Sequence, residues 1–375
     1  MKVRLMSLIN HRDKPRFGGV SSLISSLTKK KCALGIDIGT RFIKVVQISC
    51  SGKGTQVDYY GSISTPPELA TNSFQEEMLA AELEKILGEI SSKKCPINIT
   101  LGGNRIITRH IRMPQMPAKE LEKSIKWEVE KYLPMPVDEL VLDYVNLGTL
   151  SSDGQKQQHI LVAAIYRETV KKYYQAFSLA KLQISSVDLS AFALWRVFVG
   201  INKDFPKDVS AILDIGYSNS QLIVVNDRKI SFTRLLPVGA RTILDSLARN
   251  LHLEHATQAL ETGDGWSAEL EREVAVSKDA SLAQQQFWAS GISDFCREVR
   301  RSLEFYQNQE KVQVTGIVIT GGSANLAGID ALLAAELNLP VRVGSVDITI
   351  KDRPDQTIAP SYAVALGLAL REVVD

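Results

Sequence analysis

Residues 34–46, LGIDIGTRFIKVV, predict a β-hairpin. Alternating apolar residues lead into an Asp-x-Gly-Thr turn, and β-branched residues lead out of it. A glycine in the turn lets the backbone approach a ligand closely, and successive turn N–H groups can bind an anion. Asp37 could hold a metal ion or its water shell, and Thr40 and Lys44 could reach phosphate oxygens. Many hairpins carry Gly and Asp for turn geometry alone, so this motif needs a second signal.

That signal is a repeat of the same plan at residues 211–225, AILDIGYSNSQLIVV. Two Asp-x-Gly hairpins, at Asp37 and Asp214, indicate two similar halves that face each other across a cleft. A third glycine turn, IVITGGSA at residues 317–324, follows a buried strand pattern and precedes a helix. Its backbone could pass close to a base or a ribose.

The three glycine loops, in this order, resemble those of the actin-like nucleotide-binding fold. Actin, DnaK-type chaperones, sugar kinases and the division protein FtsA share this α/β fold, a ribonuclease H-like unit duplicated into two domains. The resemblance implies that the first two loops hold phosphates and that the third holds adenosine. We expect a first domain over residues 32–205 and a second over 206–375, with a small lobe at about 245–292.

Length and composition fit this division. A chain of 375 residues, 45% hydrophobic and 23% charged, suits two globular domains of about 150–200 residues each. No apolar run approaches the roughly 20 residues that span a bilayer, and no secretory signal is evident. Cysteines occur at scattered positions without metal-ligand spacing: Cys32, Cys50, Cys95 and Cys296. We expect four free thiols in a reducing compartment, which predicts a cytoplasmic protein.

Positive charge is concentrated at the N-terminus. Residues 1–31 carry eight Lys or Arg and one acid, which predicts a flexible basic leader. The apolar spacing at residues 20–27 could instead form a short helix on anionic lipid. The leader has no interleaved aromatic residues beyond Phe17, so nucleic acid is not an expected partner.

Residues 105–160 depart from the nucleotide scaffold and predict an inserted subdomain. The strand ITRHIRMP covers residues 107–114, the acidic helix ELEKSIKWEVEKYLPMP covers 120–136, and Leu-Asp-Tyr follows at 142–144. This block resembles the PilM family, cytoplasmic actin-like proteins of type IV pilus assembly. The likeness extends over about residues 32–373 and leaves the leader uncovered.

The resemblance implies a structural ATP·Mg²⁺ ligand with little or no hydrolysis, and no catalytic residue is predicted. Asp37 and Asp214 are the predicted magnesium residues, acting through water. Alternatively, both hairpins are structural remnants in a protein that has lost nucleotide binding. Arg41, Tyr217 and Asn219 depart from the small residues usual in such loops. The predicted nucleotide-binding residues are Asp37, Gly39, Thr40, Arg41, Lys44, Asp214, Gly216, Ser218, Asn219, Gly239, Glu298, Arg301, Gly321, Gly322 and Ser323.

The resemblance also implies a groove between the insert and the main domain that takes the extended N-terminal tail of the membrane protein PilN. An apolar groove beside a strand suits such a peptide, since main-chain bonds give affinity and pockets give specificity. The same apolar residues could equally form the insert's own core. The predicted lining residues are Ile106, Ile107, Met113, Met116, Leu133 and Met135.

We therefore expect an ATP-binding adaptor of the type IV pilus platform, peripheral at the inner face of the cytoplasmic membrane. Its association with the membrane would be indirect, through a PilN-like protein. Nucleotide would hold the two halves in one relative orientation and so set the shape of the peptide groove. The alternatives are an FtsA-like filament, which would require self-association, and an active ATPase or small-molecule kinase.

Overall fold

The computed structural model describes residues 31–374 except 53, 71–73, 89, 91–94, 132–135, 153–154, 203–204, 244, 246–281, 327 and 347. The predicted leader, apart from Lys31, and most of the predicted small lobe therefore lie outside the described residues. The strands are, in chain order, β1 (Lys31–Ile38), β2 (Phe42–Ser51), β3 (Gly54–Ser64), β4 (Ile97–Leu101), β5 (Ile106–Pro114), β6 (Leu140–Ser152), β7 (Gln155–Tyr166), β8 (Ile184–Val187), β9 (Ser210–Ile215), β10 (Ser220–Asn226), β11 (Lys229–Leu236), β12 (Gly316–Thr320), β13 (Val341–Val343) and β14 (Thr349–Ile350). The α-helices are α1 (Glu76–Leu87), α2 (Ala118–Glu130), α3 (Arg167–Leu179), α4 (Ser190–Trp195), α5 (Leu282–Glu310), α6 (Ile329–Leu337), α7 (Ala363–Ala369) and α8 (Arg371–Val374).

The chain divides into two compact units. The first comprises the residues up to Ile201 together with Ile348–Thr357 and Val364–Asp375. The second comprises Asn202–Asp347 and Ile358–Ala363. The sequence did not predict that the C-terminal segments return to the first unit.

The first unit is built on a six-stranded sheet of order β14-β3-β2-β1-β4-β8. β1 and β2 form the predicted antiparallel hairpin, while β4 lies parallel to β1 on its other side. The apolar face of α1 is buried together with side chains of the sheet and of α3. Tyr173 and Phe177 of α3 are among the largest fully buried side chains of this core. The amphipathic helix α1 therefore covers one face of the sheet.

Two of the four cysteines form a disulfide, so the prediction of four free thiols is wrong for Cys32 and Cys95. The reason is strand register. Leu34 of β1 lies opposite Ile97 of β4 in a parallel pair. Cys32 stands two residues before Leu34 and Cys95 stands two residues before Ile97, so the parallel register brings the two cysteines together. Their Cα atoms are 5.2 Å apart. The cysteines consequently no longer argue for a reducing compartment.

The inserted subdomain is a three-stranded antiparallel sheet of order β5-β7-β6, with α2 against one face. It extends to Tyr166, beyond the expected end near residue 160. Three apolar residues of α2 at helical spacing, Leu121, Ile125 and Val129, are buried against the sheet. On the outward side of the same helix, the Trp127 side chain is 76% exposed.

The second unit is built on a five-stranded sheet of order β11-β10-β9-β12-β13. β12 is parallel to β9, whereas β10 is antiparallel to both β9 and β11. The carboxyl ends of β9, β11 and β12 therefore lie at one edge of this sheet. Apolar residues of α5 and α6 pack against the sheet in a single core cluster.

The last part of the chain packs against the first unit at contacts between backbones. A Cβ atom on Gly35 of β1 would lie 1.9 Å from the Ala365 carbonyl oxygen, and one on Gly367 would lie 1.9 Å from the Ala193 oxygen. Asn98 of β4 donates a hydrogen bond to the Leu368 carbonyl at 3.2 Å. Only glycine allows α7 to approach this closely.

A cluster of buried charges holds α8, the helix that follows α7, in place. The Asp188 carboxylate lies 2.9 Å from the Arg196 guanidinium and 3.0 Å from that of Arg371, and all three side chains are at most 5% exposed. The Leu189 N–H also donates to Asp188 at 2.8 Å. Each buried charge of the cluster faces an opposite charge, which offsets part of the cost of burying it. The cluster thus joins α8 to the turn after β8 and to the helical segment after α4.

No helix in the described part of the chain combines the length and the apolar character that crossing a bilayer requires.

We expect Gly367→Ala to lower the free energy of unfolding by at least about 2 kcal/mol, because the clash with the Ala193 oxygen forces α7 away from α4. The higher helix propensity of alanine stabilises the variant by only about 1 kcal/mol, so the clash outweighs it and the variant is less stable than the wild type. Urea unfolding of the purified variants measures the change. Gly52→Ala is the control, because its Cβ would meet nothing within 4 Å, and equal stability of the two variants would contradict the close contact.

Candidate functional site

The first glycine loop, residues 39–41, connects β1 to β2. The Gly39 N–H donates to the Phe42 carbonyl at 3.1 Å, and a Cβ on Gly39 would lie 2.7 Å from that oxygen. The turn is therefore too tight for any other residue at position 39. The Arg41 guanidinium lies over the Phe42 ring at 5.6 Å from its centroid. Arg41 thus stacks on its neighbour in this structure, and its role toward phosphate remains a prediction.

Asp37 and Lys44, predicted to act on metal and on phosphate, face each other across the hairpin. Lys44 Nζ lies 3.7 Å from Asp37 Oδ2, and both side chains are less than 20% exposed. Burial raises the pKa of Asp37, and the Lys44 charge only partly opposes this shift. A carboxylate whose charge is so incompletely compensated would gain from a further cation.

In the second unit, Asp214 and Gly321 lie against each other. A Cβ on Gly321 would lie 2.4 Å from Asp214 Oδ1 and 2.6 Å from the Ile215 oxygen, and Gly321 has φ +92°. The third loop therefore passes directly over the carboxylate of the second. Gly322 and Ser323 follow in a 3₁₀ turn, Gly322–Asn325, in which Ser323 is buried.

The turn after β9 is held by the helical turn that begins after Gly239. The N–H groups of Ala240 and Arg241 donate to the Gly216 and Tyr217 carbonyls, both at 2.9 Å. A Cβ on Gly239 would lie 2.5 Å from the Tyr217 oxygen. Ser218 and Asn219, which connect Tyr217 to β10, are half-buried. The contacts of Gly239 with this turn and of Gly321 with Asp214 bring Asp214, Gly216, Gly239 and Gly321 together at one edge of the sheet.

Other predicted ligand residues are not placed by such contacts. Glu298 and Arg301 form an ion pair at 3.4 Å on α5, where Arg301 is 73% exposed, and their role beside adenosine remains a prediction. Within the described ranges, no group of three His, Cys, Asp or Glu side chains is arranged to hold a metal ion. Asp37 belongs to the first unit and Asp214 to the second. Their role toward magnesium likewise remains a prediction.

The predicted peptide-lining residues divide into four groups. Met113 belongs to the insert core beneath α2, with Met116 packed against it, and Ile106 packs against the core of the six-stranded sheet. Ile107 is half-buried and belongs to neither cluster. Leu133 and Met135 lie outside the described residues. Ile107 is therefore the strongest of these candidates for contact with a ligand.

A histidine pair in the insert has no predicted role. Nδ1 of His110 and Nε2 of His159 share a hydrogen bond of 2.9 Å between β5 and β7. Burial, together with the nearby Arg112 charge, lowers the pKa of His159 to about 4. His159 is therefore neutral at pH 7 and serves the packing of the sheet.

Sequence reasoning missed two residues that shape the first loop. The Thr65 hydroxyl donates to the Gly39 carbonyl at 2.9 Å, and Arg105, only 5% exposed, donates to the Gly102 carbonyl at 2.7 Å. Thr65 stands before two prolines, where the sequence indicates only the end of a strand. An arginine directly after a Gly-Gly-Asn turn was the one available signal for Arg105.

These units and loops define an actin-like fold that carries an insert in its first half. A family model described as type IV pilus assembly protein PilM matches residues 35–373. The chain belongs to this family, which confirms the resemblance and the fold inferred from the sequence.

Two solved structures illustrate the likeness. One, described as a PilM-PilN type IV pilus biogenesis complex, matches at 28% identity over 91% of this chain and 98% of its own, with a TM-score of 0.75. The other is the ethanolamine utilization protein EutJ from Carboxydothermus hydrogenoformans, at 15% identity over 92% of this chain and 91% of its own, with a TM-score of 0.52. The second supports the fold alone.

We expect Asp37→Asn to be at least as stable as the wild type at pH 7 in the absence of ligand. The folded state binds the Asp37 proton more tightly than the unfolded state, so wild-type stability falls as pH rises from the ordinary value of 3.8 through the raised pKa. The difference between variant and wild type should shrink as pH falls toward 4. Urea unfolding across pH 4–8 measures it.

Asp138→Asn is the control, since Asp138 is exposed and its replacement should change nothing. A marked loss of stability of Asp37→Asn at pH 7 would mean that the ion pair with Lys44 outweighs the cost of burial.

Proposed function

We propose that this protein is a nucleotide-binding adaptor in type IV pilus assembly that captures the N-terminal cytoplasmic tail of a PilN-like membrane protein. It would act as a peripheral protein at the inner face of the cytoplasmic membrane, with the PilN-like partner as its link to the bilayer. One observation carries the proposal: the first unit presents a separate sheet-and-helix insert, in a chain that belongs to the PilM family.

The nucleotide part of the proposal rests on backbone that only glycine allows. A Cβ on Gly321 would lie 2.4 Å from Asp214 Oδ1 and one on Gly239 would lie 2.5 Å from the Tyr217 oxygen, so only glycine lets the loops pack against each other this closely. Glycine also lets loop backbone come close to a phosphate or a nucleoside, which is the role proposed for these loops. Thr40 and Lys44 would supply donors to phosphate from the first unit. Asp37 and Asp214 would hold the water shell of a magnesium ion, which would also offset the charge of the buried Asp37.

Bound ATP·Mg²⁺ would serve as a structural ligand, with little or no turnover. Phosphoryl transfer needs a group that positions the attacking water or hydroxyl. Neither the sequence nor the described side chains single out such a group. The contribution of these loops is therefore to bind and orient, and we assign no catalytic residue.

The peptide part of the proposal rests on β5. Ile107 of β5 lies opposite Ala164 of β7, which in turn lies opposite Leu142 of β6, so the three side chains share the face on which α2 packs. Leu142 contacts the insert core, whereas Ile107 remains half-buried outside it. An apolar side chain left beside a covered sheet face suits an extended apolar peptide. Leu133 and Met135 are proposed to line the same groove.

We expect the N-terminal tail peptide of a PilN-like protein to bind with micromolar affinity, and Ile107→Ala to weaken binding about tenfold. Isothermal titration calorimetry measures both. Trp127→Ala is the matched control, because Trp127 points away from the insert core and its loss should leave affinity unchanged. If Trp127→Ala weakens binding and Ile107→Ala does not, the peptide site lies on the outer face of α2 instead.

We expect Lys44→Ala and Asp37→Ala each to weaken binding of ATP·Mg²⁺ at least about tenfold without unfolding the protein, since each removes a charged group beside the first loop. A fluorescent ATP analogue with magnesium reports the affinity. Lys85→Ala is the control, because its exposed side chain pairs with the neighbouring Glu82 on α1.

Wild-type affinity in both variants would show that the first loop does not bind phosphate. Rapid ATP turnover without peptide binding would favour a small-molecule kinase or active ATPase, and ATP-dependent pelleting would favour an FtsA-like filament.

A further inference from the structure

Two backbone segments support the first glycine loop. On one side, Thr65 donates its hydroxyl to the Gly39 carbonyl at 2.9 Å and its N–H to the Arg41 carbonyl at 2.8 Å. On the other side, the Gly102 N–H donates to the Ile38 carbonyl at 2.9 Å. A Cβ on Gly102 would lie 2.7 Å from the Ile38 oxygen, so the two backbones are in direct contact. The position of the loop therefore depends on where these two segments lie.

One side chain binds both segments. The Arg105 guanidinium donates to the Gly102 carbonyl at 2.7 Å and to the Leu69 carbonyl at 2.5 Å. Leu69 lies in the 3₁₀ turn that follows Thr65 along the chain. The guanidinium also lies over the Tyr173 ring, 5.9 Å from its centroid. Arg105 thus ties the two supports of the loop to each other and to α3.

Arg105 is also the residue directly before the insert. It ends the 3₁₀ turn Gly103–Arg105, and Ile106 begins β5 at the next position. Ile106 is packed against the core of the main sheet, whereas Ile107 belongs to the proposed peptide site. A shift of the guanidinium would therefore move both the loop supports and the root of β5.

The chemistry of this contact makes it selective for arginine. Two nitrogens of the buried guanidinium, Nη1 and Nη2, each donate to a carbonyl oxygen, and charge-assisted bonds of this kind are stronger than neutral ones. Its rigid fork spans two acceptors at once. A lysine would bring the same charge at a single nitrogen and could not hold both carbonyls in this geometry.

We propose that Arg105 is a positioning residue that couples the first glycine loop to strand β5, so that nucleotide and peptide bind cooperatively. This inference rests on the proposed function. Phosphate bound at residues 39–41 favours one position of the loop, and Arg105 transmits that preference to the root of the insert. By linkage, a bound peptide raises nucleotide affinity by the same factor.

The test compares Arg105→Lys with Arg371→Lys, since both remove a guanidinium that is 5% exposed from the first unit but only Arg105 lies beside the loop. Calorimetry measures the affinity for the PilN-like tail peptide with and without ATP·Mg²⁺. We expect ATP·Mg²⁺ to tighten peptide binding at least about fivefold in the wild type and in Arg371→Lys. In Arg105→Lys this ratio should fall to about one, within the accuracy of the titration. Equal ratios in both variants, or no effect of ATP·Mg²⁺ in the wild type, would overturn the proposal.

Hydrogen exchange of the ligand-free proteins gives a readout that needs neither ligand. Arg105→Lys should speed exchange both at residues 39–41 and at the start of β5, and Arg371→Lys at neither. A change confined to one segment would overturn the coupling even if both ligands bind. If the wild type binds neither nucleotide nor peptide, the proposed function is wrong, and the cooperative role of Arg105 is wrong with it. If both ligands bind and Arg105→Lys leaves their coupling unchanged, only the role of Arg105 is wrong.

Discussion

Close contact between backbones is the constraint on which the first unit depends. Gly35 lies where α7 crosses β1, and Gly367 lies where α7 crosses α4. At both points the backbones of the two elements approach more closely than a side chain would allow. The Asn98 amide and the Asp188 cluster then fix the helices in that position. Because β1 also ends in the first glycine loop, the packing of the C-terminal helix and the placement of that loop share one strand.

The same device recurs at the candidate site. Gly102 lies against the loop after β1, and Gly321 lies against Asp214 in the second unit, each at a distance that excludes a Cβ atom. The two aspartates that the sequence singles out, Asp37 and Asp214, differ in what lies beside the carboxylate. Asp37 is opposed by Lys44 across the hairpin, and burial still raises its pKa. Asp214 instead lies beneath the backbone of the third loop. In each unit a carboxylate therefore lies beside closely packed loop backbone.

Much of this could be predicted from the sequence because the signals are local. Strand alternation and the Asp-x-Gly turns predict the hairpins, and the strand, acidic helix and Leu-Asp strand of the insert identify the family. What could not be predicted depends on the register between paired strands. Cys32 meets Cys95 only because β4 is parallel to β1, and Asp37 meets Lys44 only in this hairpin register. The role of Arg105 was likewise hidden, because its acceptors are backbone carbonyls that carry no sequence signal.

The return of the C-terminal segments to the first unit has a consequence for how the protein is made. β14 pairs with β3, and α7 contacts β1, across sequence separations of nearly the whole chain. Domains generally fold as units, from the N-terminus onward, as they leave the ribosome. Here the first unit cannot be completed in that order, because its last strand and its closing helix are translated after the whole of the second sheet. The earlier-made part of the first unit must therefore wait, with the surface of β1 around Gly35 uncovered, until these later segments have been synthesised.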